Sequence, residues 1–231
     1  MGLFESGDQT GPQVHLRRSA RARRMSLRVS AIDGRVTLTV PKHAPLRAAR
    51  AFLAEQEDWI ARAVAGVAVP VDVGVGCSVP VEGVPREVVA GDVRAARLEA
   101  DRIIVGTTLP GVRIEACLKA LARVRLSAAV DDYAARIGAE AGRITLRDPR
   151  SRWGSCSSRG DLMFSWRLVM APPDVLRYVA AHEVAHLRHM DHSAAFWRLT
   201  GQLFPDHTRA RAWLREKGPS LHRYRFRGGA R

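Results

Sequence analysis

From residue 14 the chain alternates between apolar and polar positions. Val14 and Leu16 come first, then Leu27 and Val29 beyond a basic stretch, then Val36, Leu38 and Val40. A period of two places alternate side chains on one face of a strand. Asp33-Gly34 lies between the last two runs and predicts a hairpin turn, and Pro41 ends the strand. The period then lengthens. Leu46, Ala49, Phe52, Leu53, Ile60, Ala63 and Val64 recur at helical spacing, interrupted only at Gln56. They predict one helix over about 45–65 with a stop at Gly66. Residues 67–111 are rich in Val, Gly and Pro and carry no helical stripe. They predict short antiparallel strands near 77–82, 86–90, 94–99 and 102–107, the last two joined around Ala100-Asp101.

A long helix is predicted over 112–137, with Ile114, Leu118, Leu121, Val124 or Arg125, Ala128 and Tyr133 near one face and Gly138 at its end. Residues 143–147 alternate again as a strand, and a loop leads into Arg152-Trp153-Gly154-Ser155-Cys156. The turn Ser157-Ser158-Arg159-Gly160 returns the chain as a second strand over 162–169. Pro172-Pro173-Asp174 suits the first turn of a further helix. Two more helices are expected near 193–203 and 207–216, the second capped by Asp206 and stopped by Gly218.

Chemistry enters on the helix after Pro172. It carries His182-Glu183-x-x-His186, and six residues later His192. Histidines four apart on a helix lie on one face, so their imidazoles can meet at one metal ion, and the glutamate beside the first can reach a water there. The third ligand is a choice between His189 and His192. On a straight helix His189 would share the face, but seven residues span about 10 Å, too far for three nitrogens about 2 Å from one ion. His192 stands six past His186, the spacing found where a helix stops after the second histidine and the chain doubles back. Asp191 is the nearest turn former. His192 is therefore taken as the ligand, and His189 as an exposed residue or one that supports a ligand. Three histidines leave a position open for water, whereas structural zinc sites close with four ligands. Cys156 is read as a packed apolar residue rather than a fourth ligand. The expected chemistry is hydrolysis by water activated at one zinc ion per chain, with Glu183 as general base. Tyr178 and Arg152 are candidates by type for stabilising an oxyanion.

Composition changes this picture little. No apolar run approaches the roughly 20 residues a membrane helix needs, and nothing at the N-terminus resembles a signal peptide. The three cysteines, Cys77, Cys117 and Cys156, are widely spaced, which suits a cytoplasmic protein. The net charge is +14, and it is uneven. Residues 13–50 carry ten Lys/Arg against one acid, and residues 207–231 carry eight against one. The chain between them is neutral, so the basic ends, not the histidine site, are candidates for a weak polyanion or nucleic-acid contact.

The stretch RWGSCSSRGDLMFSWRLVMAPPDVLRYVAAHEVAHLRHMDHSAAFW resembles the YgjP-like metallopeptidase family, relatives of the SprT-like and WLM zinc proteases. SARARRMSLRVS-x5-VTLTVPKHAP extends the resemblance to roughly residues 13–217. It implies a presumed peptidase with zinc on His182, His186 and His192 and Glu183 as base. The implied fold is α+β, with an N-terminal β-rich region followed by a zincin-like catalytic domain of small antiparallel sheet and HExxH helix. The strand at 153–156 would border the cleft, so Arg152, Trp153, Gly154, Ser155, Cys156 and Tyr178 are candidate substrate-binding residues for a peptide or protein paired along its edge. Where the family has Asn before the third histidine, this chain has Asp191, which also suits a turn. The expected organisation is a flexible tail over 1–12, a β-rich region over 13–111, a metallopeptidase domain over 112–217 and a mobile basic tail over 218–231.

Two other functions compete. One keeps the metal but hydrolyses a nucleotide phosphoanhydride or other non-peptide bond, with Arg150, Arg152 and Arg188 clamping phosphates. The other is a nucleic-acid-associated protein that uses its basic ends, with proteolysis secondary.

Overall fold

The computed structural model describes residues 2–4 and 13–227. The chain divides into two compact units, Met1–Val69 and Pro70–Arg231, each with its own apolar core. The fold is mixed α+β, with several small sheets and six α-helices among the described residues. No helix among them is long and apolar enough to cross a membrane.

The first unit holds β1 (Gly2–Phe4), β2 (Val14–Ser19), β3 (Ser26–Val29), β4 (Val36–Pro41), α1 (Leu46–Glu55) and α2 (Glu57–Ala65). Its sheet runs β1-β2-β4-β3. The predicted hairpin joins β3 and β4: Gly34 has φ of 68° and donates its N–H to the Ser30 carbonyl. Val36, Leu38 and Val40 turn inward onto Ala49 and Ile60. On the opposite face of the same ladders lie Arg17, Thr39, Arg28 and Thr37. The single helix expected after Pro45 is two. They break at Gln56, which adopts φ −104°, ψ 8° and bonds back to Leu53, at the place where the apolar stripe was interrupted. The expected tail over 1–12 contributes β1; its other residues lie outside those described.

The second unit opens with β5 (Val71–Asp72), β6 (Ser78–Val81), β7 (Val84–Ala90), β8 (Arg97–Leu98) and β9 (Arg102–Val105). The sheet order is β6-β7-β9-β8, and β7 pairs with β9 in parallel, not antiparallel as the turn signals suggested. The connection between them loops out through β8 before returning, a crossover that local turn residues do not encode. Residues 70–111 also do not belong with the N-terminal half. Val79, Val81, Val88, Ile103 and Val105 are fully buried in one core with Ile114, Leu118, Ala122, Leu126 and Val130 of α3 (Pro110–Arg136). The buried face of α3 therefore runs through Ala122, Leu126 and Ala129, leaving Val124 exposed.

A three-stranded sheet follows, built from β10 (Ile144–Arg147), β11 (Gly154–Cys156) and β12 (Leu162–Ser165) in the order β10-β12-β11. The pair β11–β12 is antiparallel across the turn at Gly160 (φ 80°), while β10–β12 is parallel. The strand expected over 162–169 stops at Ser165 and tightens into a buried 3-10 turn, Trp166–Met170. Then come α4 (Pro173–Ala185), α5 (Ala194–Leu203) and α6 (His207–Glu216). Ser193 caps α5, and Asp206 begins α6 without a side-chain cap bond. The C-terminal residues expected to be mobile are built into the core as far as Phe226. A 3-10 turn, Gly218–Arg223, leads to β13 (Tyr224–Arg225) paired with β5, and Phe226 is buried. Arg167, itself buried, grips Asp148 through two bonds of 2.7 and 3.0 Å and donates to the carbonyls of Leu221 and Tyr224. Arg227 pairs with Glu115 at 3.1 Å, so part of the C-terminal positive charge is already matched. Residues 228–231 of the expected tail lie outside those described.

Candidate active site

Helix α4 is apolar nearly all round. Val175, Leu176, Val179, Ala180, Ala181, Val184 and Ala185 are buried, as expected of a helix through the middle of a core. Its last turn presents His182 and Glu183, and His186 is the C-terminal cap. The N–H groups of Leu187 and Arg188 bond three residues back, so the helix tightens and ends at once. The turn at 187–192 is held by Asp191, whose Oδ1 accepts from the Ser193 N–H, and it reverses the chain so that His192 faces α4.

The three imidazoles converge. One ring nitrogen from each of His182, His186 and His192 lies within 4.8 Å of the others, and the Nε2 atoms of His182 and His192 are 3.2 Å apart. Tetrahedral nitrogen ligands about 2.0–2.1 Å from an ion stand about 3.4 Å from one another, so the separation fits ligands around a metal. His186 Nδ1 is 2.9 Å from the His189 carbonyl; a carbonyl only accepts, so Nδ1 carries the hydrogen and Nε2 is free to ligate. His189 thus supports His186 through its backbone. Burial, and then the neighbouring His186 and His192, push His182 down to about 3, which keeps the ring neutral as a ligand must be. The donor set could hold one metal ion.

Glu183 is 5% exposed. Burial raises its carboxyl to about 8, against the opposing pull of the Arg152 guanidinium. It lies directly against the backbone of Gly154: a Cβ on that residue would stand 2.5 Å from Glu183 Oε1 and 2.7 Å from its Cγ. The glycine of β11 is therefore the space in which the carboxylate sits. An open cleft of about 480 Å³ runs past both, bordered by Arg152, Gly154, Ser155, Cys156, Met190 and the histidines. β11 is at the edge of its sheet and forms one wall.

Not every expected residue reaches this cleft. Trp153 packs behind it, against Gly218 and 5.4 Å from the His222 ring. Tyr178 is buried at 5% exposure, 6.0 Å from His182 and 6.2 Å from Phe204; burial raises its phenol while Arg211 opposes. Cys156 stands in the cleft wall, outside the nitrogen cluster, and burial followed by Glu183 and Asp161 pushes its thiol up to about 11. Of the three arginines considered as a phosphate clamp, only Arg152 borders the cleft. Arg188 instead donates to the Ile137 and Gly138 carbonyls at the end of α3.

Two aromatic residues and one cation were not assigned roles from sequence. Phe196 stacks on His186 at 4.5 Å and meets His182 and His192 at 4.9 and 4.8 Å, making an apolar wall behind all three rings. Trp197 lies 5.8 Å from both His182 and His192, and Arg211 of α6 sits over its indole at 4.9 Å. The Phe-Trp pair four and five residues past His192 was the available signal. Arg211, fourteen residues beyond Trp197 on another helix, had none.

The model of the family described as YgjP-like, metallopeptidase domain, matches residues 23–217. The chain belongs to the YgjP-like metallopeptidases. It is accordingly a metal-dependent hydrolase. A crystal structure described as the metallopeptidase zymogen of Pyrococcus abyssi abylysin is similar to part of it: 18% identity, TM-score 0.36, covering 40% of this chain and 95% of that one. No curated protein matched.

Proposed function

We propose that the second unit is a zinc-dependent peptidase in which His182, His186 and His192 hold one zinc ion and Glu183 is the general base. The observation that carries this reading is the buried Glu183 carboxyl beside three converging imidazoles, at the wall of a cleft with a free strand edge. Bound there, zinc supplies Lewis acidity, polarising a substrate carbonyl and making water acidic. A substrate peptide pairs along the outer edge of β11, where main-chain bonds hold it with little side-chain preference. Glu183 removes a proton from the attacking water and delivers it to the amide nitrogen as the C–N bond breaks. Arg152 favours the ionised form of Glu183, the form that can accept that proton. Of the three arginines considered as a phosphate clamp, Arg188 is engaged at the end of α3 and only Arg152 borders the cleft, which favours a peptide over a phosphoanhydride.

The test is digestion of an unbiased peptide library together with zinc analysis. Wild type is expected to contain one zinc per chain and to cleave peptides. Glu183→Gln should keep the metal and lose about 10²–10⁴-fold in rate, the usual span for a general base. A glutamine variant that cleaves at the wild-type rate would show that Glu183 is not the base.

A further inference from the structure

Two guanidinium groups stand near the histidine centre, Arg152 and Arg211. Arg152 borders the cleft on the β11 side. The Arg211 guanidinium lies over Trp197, whose ring meets both His182 and His192. Arg211 is exposed and, among the described residues, has no acidic partner.

Stacking matters here. An arginine on a free stem samples many rotamers, whereas one resting on an indole face is held in place with its five N–H donors directed outward around the ring plane. The two distances, 4.9 Å from Arg211 to the indole and 5.8 Å from the indole to the imidazoles, bound how far the guanidinium stands from the histidines. That span is covered by roughly three residues of extended chain. The guanidinium is therefore in range of the substrate residues flanking the reacting bond.

We propose that Arg211, held on Trp197, is a carboxylate-binding subsite of the cleft, so that the protein selects peptides with an acidic group within about three residues of the cleaved bond. The carboxylate comes either from an Asp or Glu side chain or from the peptide's own C-terminus. A planar, fork-shaped donor pairs with a carboxylate through two parallel bonds, and the second cation, Arg152 in the cleft wall, adds to the same field. This rests on the peptidase reading for what occupies the cleft, but it can fail independently of it.

The experiment measures equilibrium binding of short peptides to the full-length, zinc-loaded Glu183→Gln protein, so that no turnover is needed. The peptides differ only in Gln or Glu at positions flanking the centre, each with a free or an amidated C-terminus. The Glu or free-carboxylate peptide is expected to bind about tenfold tighter than its neutral counterpart, a discrimination of about 1.4 kcal/mol. Adding Arg211→Ala should erase that ratio, Arg211→Glu should invert it, and Arg211→Lys should recover only part. Which arm shows the effect, side chain or terminus, identifies the source of the carboxylate. A ratio unchanged by Arg211→Ala, or peptides weakened equally whatever their charge, would overturn the subsite. If wild type cleaves no peptide yet binding still follows Arg211 and charge, the subsite stands and the peptidase reading falls. Cleavage with no charge preference would have the opposite meaning.

Discussion

Gly154 shows how little room the site leaves. Its backbone touches the Glu183 carboxyl, and the nearest atoms a Cβ would meet all belong to that one side chain. Contacts of about 2.5 Å between a Cβ and an oxygen are not tolerated, so either Glu183 or the strand must shift. A shift of an ångström in a proton-transferring group costs about two orders of magnitude in rate. Gly154→Ala is accordingly expected to lower peptide hydrolysis about 100-fold, while the histidines, which the new methyl does not touch, keep their metal. Rates and zinc content of the same preparation check this. Activity within twofold of wild type would mean that the carboxyl has freedom the close contact denies. The same scale explains what could be read in advance. The spacing of His182, His186 and His192 was sufficient to bring three nitrogens together, because a helix and one reversal fix their positions. Trp153 and Tyr178 look like cleft residues by type and by nearness in sequence, yet their rings turn into packing. The direction of Trp153, just before β11, depends on what stands behind it, here Gly218 and His222.

At the scale of elements, the last segment of the described chain is the one most misjudged from composition. Its arginines suggested a solvated tail, but the deciding residues were the apolar Leu221 and Phe226, spaced among them and buried. Long-range partners decided the rest: Arg167 lies over fifty residues upstream and holds the carbonyls of Leu221 and Tyr224. The α-helical stretches were legible, apart from the break at Gln56, because the period of 3.6 is local. Strand direction in the β6–β9 sheet was not, because pairing between β7 and β9 is non-local. The 3-10 turn Gly218–Arg223 also makes a measurable prediction. It packs His222 against Trp153, with Asp148, Arg167 and Arg150 as its charged neighbours. Burial, then Arg167, lowers the ring from 6.5 to about 4, and Asp148 opposes them only in part. As pH falls, the unfolded chain takes up this proton before the folded one, so the fold loses stability from about pH 6.5 down to about 4 and is unaffected by this group above 7. The loss amounts to roughly 3 kcal/mol at the lower end. His222→Phe, compared with wild type at equal metal loading, should show a shallower fall in melting temperature between pH 6.5 and 4. Parallel curves would mean that His222 is not held neutral in the fold.

At the scale of the whole molecule, the boundary after Val69 has a consequence for what the histidine site requires. Every residue of that site, and every element that supports it, lies in Pro70–Arg231. Composition alone suggested a domain beginning near residue 112, where Val- and Gly-rich sequence gives way to a helix. That cut would remove Val79, Val81, Val88, Ile103 and Val105, all fully buried in one core with Ile114, Leu118 and Tyr133 of α3. Each buried aliphatic side chain contributes about 1.5–3 kcal/mol by its transfer from water. Five of them exceed a large part of the 5–15 kcal/mol that separates folded from unfolded domains. Their loss would also strip one face of the helix that α4 packs on, and α4 carries two of the three histidines. A chain of residues 70–231 is therefore expected to fold cooperatively and to bind one zinc, and a chain of residues 112–231 to do neither. Circular dichroism melts and metal analysis of the two fragments distinguish these outcomes. A cooperative melt with bound zinc from the shorter fragment would show that the β6–β9 sheet is dispensable to the site, and failure of the longer one would show that the first unit is needed for the second to fold.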